Sequence, residues 1–124
     1  MLIQQAADQY LYNLKNVKRY SANTIKSYKK DLKNFLEYCS EYSKEDMNSI
    51  SEKFIKSYLM VLSEKGIEKI SISRNLASIR GLFKYSFQHG NIESNPAVNI
   101  PNPKAQRKLP EITTTNSILD IYNI

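Results

Sequence analysis

The chain has 124 residues, 41% hydrophobic and 24% charged, enough for one small folded domain and a fragment of a second. Its 18 Lys and Arg against 12 Asp and Glu leave a net charge of +6, which favours polyanionic partners. A single cysteine and a single histidine exclude a disulfide framework and a Cys/His metal site within the chain, and no apolar run reaches the roughly 18 residues of a membrane-spanning helix.

The opening segment, MLIQQAADQY, lacks the basic start and apolar stretch of a signal peptide, so a soluble cytoplasmic protein is expected. Ile3, Ala6, Ala7, Tyr10, Leu11 and Leu14 recur at helical spacing and predict a first helix over residues 2–16. NVKRYS breaks the pattern, and Ser21 is placed to cap a second helix over 22–42, in which Cys39 occupies an apolar position and reads as a buried small hydrophobe. SKEDMNSI is a polar connector. Ser51 caps a third helix over 52–65, closed by Gly66, with Phe54, Ile55, Tyr58, Leu59, Val61 and Leu62 on its apolar face. Ser71 is the expected cap of a fourth helix over 72–89, closed by Gly90, with Ile72, Leu76, Ile79, Leu82, Phe83 and Phe87 facing the core. His89, in the last turn of that helix, suits the negative end of the helix dipole better than catalysis or metal binding. The remainder carries all four prolines and no sustained period. Asn95-Pro96 starts a short turn, and an extended segment follows with Lys104, Arg107 and Lys108. TTTNSILDIYNI then looks like the capped start of another helix, so the chain is expected to be a piece of a longer protein.

Charge is unevenly distributed. Residues 15–33 hold seven basic residues and one acidic; residues 69–108 hold the same numbers; the rest holds four basic and ten acidic. At about 100° per residue, Tyr28, Leu32, Phe35, Leu36 and Cys39 gather around Ile25 on one side of the second helix. Lys26, Lys29, Lys30 and Lys33 form a stripe flanking that side, with Asp31 away from them. Like charges at i,i+4 repel, and a purely solvated face more cheaply interleaves Glu, although a plain basic surface remains the alternative. On the fourth helix Ser73, Ala77, Arg80, Gly81 and Lys84 share a face on which small residues would let the backbone approach a DNA groove. Arg74 and Asn75 lie near its N-terminal end, where recognition helices place base-contacting groups. Helix packing is the alternative for Ser73 and Ala77, and a surface or capping role for Asn75.

YSANTIKSYKKDLKNFLEYC, with its Thr24…Tyr28…Leu32…Phe35 pattern, RNLASIRGLFKY in the fourth helix, the NIESNPA turn and a linker ending in KLP together resemble the N-terminal core-binding domain of Xer-type tyrosine recombinases, relatives of the phage integrases. The resemblance covers essentially the whole chain. It implies an all-α fold: a four-helix SAM-like bundle of two crossed helical hairpins over residues 1–96, an extended interdomain linker over 97–109, and the partial first helix of a catalytic domain over 110–124. It further implies that the second and fourth helices face the major groove of double-stranded DNA. Lys26, Lys29, Lys30 and Lys33 fall on the first of these helices, and Arg74, Asn75, Arg80 and Lys84 on the other; Arg107 and Lys108 fall on the linker. The family's nucleophilic tyrosine, arginines, lysine and histidines lie in the C-terminal domain, so this chain should bind DNA without cutting it and without a cofactor. Other protomers join on DNA in the full-length protein, whether for chromosome dimer resolution or mobile-element integration, while the isolated chain is expected to be a monomer. Two rival readings are a small helical protein–protein module and a helix-turn-helix-like transcription factor.

Overall fold

A computed structural model describes residues 1–102. Four helices account for most of them: α1 (Ile3–Asn16), α2 (Ala22–Glu41), α3 (Glu52–Glu64) and α4 (Lys69–Gln88), with one 3-10 turn, Met47–Ser49, between α2 and α3. The described residues contain no strand beyond an isolated bridge between Leu2 and Asp46. No helix among them is long and apolar enough to cross a membrane.

The helix ends follow local chemistry. Ser21 is extended (φ −63°, ψ 157°), and its Oγ accepts from Thr24 N at 3.2 Å. Ser51 Oγ accepts from Phe54 N at 3.1 Å. Each hydroxyl satisfies an amide that has no partner inside its helix. Gly66 and Gly90 follow the ends of α3 and α4 at φ +84° and +75°, a left-handed conformation that side chains disfavour. The start of α4 differs from expectation. It begins at Lys69, with extended Glu68 as N-cap and no side-chain cap, so Ser71 lies inside the first turn. Gly66 reverses the chain tightly enough that Ile67 and Glu68 complete the connection, and the helix forms as soon as they have passed.

α1 with α2 and α3 with α4 form two hairpins that cross to make a SAM-like bundle, α4 touching each of the other three helices. The connector after α2 is less polar in effect than in sequence. Met47 is buried there, and backbone bonds from Ile3 N to Glu45 O (2.7 Å) and from Met47 N to Met1 O (2.9 Å) tie it to the N-terminus. Phe35 marks the centre of the core, edge-on to Tyr58 and Phe83 with ring centroids 5.2 and 6.5 Å away. Phe87, expected in the core, is 48% exposed. After Gly90 the chain folds back, Asn91 N bonding to Ser86 O, and Ser86 is the residue of that turn that becomes buried. The returning segment adds Ile92, Ala97 and Ile100 to the core.

At Gly81 a side chain of α1 packs directly on the backbone of α4. The Tyr10 ring lies over it, and a Cβ at this position would stand 2.9 Å from Tyr10 Cζ and closer still to the hydroxyl. Tyr10 is itself confined by Tyr28 and Tyr85. The missing side chain therefore accommodates an internal contact and not an external surface. Gly81→Ala is expected to destabilise the domain by about 1–2 kcal/mol, overpacking outweighing the better helix propensity of alanine. Urea unfolding measures this, and Tyr10→Phe in the Gly81→Ala background should recover part of the loss by removing the nearest atom.

Candidate nucleic-acid interface

α2 turns Leu32, Phe35 and Cys39 inward, which leaves Lys26, Lys29, Lys30 and Lys33 in solvent. Among the described residues the ion pairs are Lys56–Glu52 (2.9 Å) and Arg74–Asp31 (3.2 Å), so none of the four α2 lysines has an acidic partner there. Lys29 and Lys33 also border an open cleft of about 520 Å³ between α1 and α2. Leu2, Ala7, Leu11 and Leu36 give it an apolar lining on which lysine stems can lie, their ammonium groups left to water.

Asp31 takes the other side of α2. It is 2% exposed and points at α4, where Arg74 Nε and Nη2 reach its two oxygens at 3.2 Å each and Ser78 Oγ donates to Oδ2 at 3.1 Å. The Arg74 side chain is nevertheless 55% exposed. Its bonds to the Asp31 carboxylate, and the charge beside it, raise the guanidinium pKa further above its already high value. Placement of Asp31 away from the lysines is as expected from the helical wheel; its burial is not.

The remaining candidates on α4 separate. Lys84 is exposed, and Arg80, half-buried, donates from Nη1 to Asn102 Oδ1 at 2.9 Å, fastening the segment that leaves the bundle. Asn75 is 7% exposed and spends its amide on the Ser71 carbonyl at 2.8 Å, inside its own helix. It lies against the bundle because it falls between Ile72 and Ile79, three and four residues away on the buried face of α4. Ala77 is open to solvent and Ser73 partly so, while Gly81 is covered by Tyr10. Lys104, Arg107 and Lys108 lie outside the described residues.

The other chemically capable groups are occupied structurally. Burial pushes the Cys39 thiol up to about 12, so it is not disposed to act as a nucleophile. His89 packs its ring 4.0 Å from that of Tyr85 and, through Nδ1, donates to the Tyr85 carbonyl at 2.9 Å. Among the described residues no His, Cys, Asp and Glu side chains gather in a group that could hold a metal ion.

Residues 7–90 match the family model described as phage integrase, N-terminal SAM-like domain. Curated relatives include the tyrosine recombinase XerD of Oceanobacillus iheyensis, 30% identical over 94% of this chain, and the tyrosine recombinase XerC of Leptospira interrogans, 35% identical over 95%. The chain spans only 40% and 39% of the lengths of those two proteins. Among solved structures, the N-terminal domain of a phage integrase/site-specific recombinase from Haloarcula marismortui superposes with a TM-score of 0.76 at 16% identity, covering 83% of this chain and 97% of that one. That likeness concerns the fold.

Proposed function

The chain belongs to the phage integrase N-terminal SAM-like domain family, and from that premise we propose that it is the DNA-gripping part of a tyrosine recombinase. It holds a duplex through α2 and α4, while a C-terminal domain following it performs strand cleavage and rejoining through a tyrosine nucleophile. The observation that carries this reading is the exposure of Lys26, Lys29, Lys30 and Lys33 on α2 without any acidic partner among the described residues, next to a helix that presents Arg74 and Lys84. Asn75 drops out of the contact set. Arg107 and Lys108 extend the contacts along the phosphate backbone as the chain passes to the next domain. Protomers meet when they occupy neighbouring sites on DNA; the isolated chain stays monomeric.

Lysine ammonium groups are point charges that recognise phosphate without reading sequence. Binding by this chain alone is therefore dominated by phosphate neutralisation. Dissociation constants of roughly 10⁻⁴–10⁻⁶ M near physiological salt follow, and about five neutralised phosphates give a slope of about −4 to −5 for log affinity against log salt. A duplex shift assay at rising salt tests this, with a denaturing gel run in parallel. The expected result is salt-sensitive duplex binding and no covalent protein–DNA band. Absence of duplex binding at low salt would refute the DNA-gripping role, and a covalent band would refute the assignment of the chemistry to another domain.

A further inference from the structure

Asp31 is a buried carboxylate paired with an arginine that is more than half in solvent. Removing a carboxylate from water is costly unless it is well bonded. Here it takes three donors: Arg74 Nε, Arg74 Nη2 and Ser78 Oγ. The arginine needs no such neutralisation, being accessible to water. The pairing is side-on, through Nε and one terminal nitrogen. Of the five guanidinium N–H groups, two are thereby used, and those on Nη1 have no partner among the described residues. A solvated arginine samples many rotamers and loses them when it binds a ligand; Arg74 has already lost much of that freedom in the folded domain. It stands where α4 packs on α2, bonded to Asp31 on the side of α2 away from the lysines.

We infer that Asp31 is a positioning residue for DNA binding: it fixes the Arg74 guanidinium at the α2–α4 seam so that its Nη1 edge donates to a backbone phosphate oxygen of the duplex. The inference rests on the proposed DNA-gripping reading.

The sign of one substitution separates positioning from simple charge. Asp31→Asn removes a negative charge, so by bulk electrostatics it should strengthen duplex binding. Positioning requires the opposite: affinity about twofold to tenfold weaker, with the same substitution having no weakening effect in an Arg74→Ala background. Arg74→Lys, which keeps the charge but cannot bond side-on to Asp31, should weaken binding nearly as much as Arg74→Ala. Each variant is measured at a temperature where its circular dichroism shows it folded. Should Asp31→Asn not fold, ¹⁵N spectra of the wild-type arginine side chains replace it. Adding a 20-base-pair duplex should shift the Arg74 Nη signals while the Nε–H signal persists. Wild-type binding with Asp31→Asn equal to or tighter than wild type, or with the Arg74 signals unmoved, overturns the inference and leaves the DNA-gripping role standing. Failure of the wild type to bind duplex at all removes that role itself.

Discussion

Replacing Lys29 and Lys33 together by alanine is expected to weaken duplex binding by about tenfold to a hundredfold near 0.1 M salt and to flatten the salt slope by about one to two units. Both side chains are exposed and have no acidic partner among the described residues, so each is free to neutralise a phosphate. The loss should be nearly equal for every duplex sequence, because an ammonium group on a phosphate reads none. Lys53 and Lys56 on α3 are the control. They too are exposed, but Lys56 is engaged by Glu52 at 2.9 Å. Their double alanine variant should bind almost as the wild type does. Equal effects from the two pairs would show that binding responds to total charge and not to a face of the molecule.

Phe35→Ala should be the most damaging single truncation in the core. The ring is fully buried and touches both Tyr58 of α3 and Phe83 of α4, so its loss opens a cavity where three helices meet. A cost of about 3–5 kcal/mol is expected, a large share of the roughly 5–15 kcal/mol that a small domain has available. Thermal unfolding followed by circular dichroism measures it. DNA affinity should fall with the folded fraction, since α2 and α4 keep their relative placement only while that contact persists. Phe87→Ala, at a half-exposed ring, should cost under about 1 kcal/mol. Comparable losses at the two positions would contradict the described core.

The four helices and most of their ends were legible because local rules and packing agree there. Ile3, Ala6, Ala7, Tyr10 and Leu14 recur at helical spacing and are all buried. Ser21 and Ser51 cap, and Gly66 and Gly90 adopt the left-handed backbone that glycine permits. Ser71 misled because a serine before an apolar period signals a cap only if the preceding turn is long enough to need one. Asp31 was illegible for a different reason. A charged residue off the apolar stripe reads as solvent-facing, and its burial is possible only because Arg74 and Ser78, one turn apart on another helix, converge on it. Gly81 did announce a close approach, but the approaching group is Tyr10 of the same domain. Prolines concealed the packing after α4, where Ala97 and Ile100 sit in the core without any periodic neighbours. At the interface, the exposed lysines followed from the helical wheel, and the separation of Arg74 from Asn75, adjacent in sequence, reflects the roughly 100° between successive residues, which turns Asn75 toward Ile72 and Ile79 and leaves Arg74 outside.

The most direct test of the central claim is an amide ¹H–¹⁵N titration of the chain with a short duplex at low salt. The proposed grip predicts that the largest shifts fall on α2 around Lys26–Lys33 and on α4 around Ser73–Lys84, with α3 around Lys53 and Lys56 nearly unmoved. Shifts centred on α3, or spread evenly over the charged surface, would contradict it.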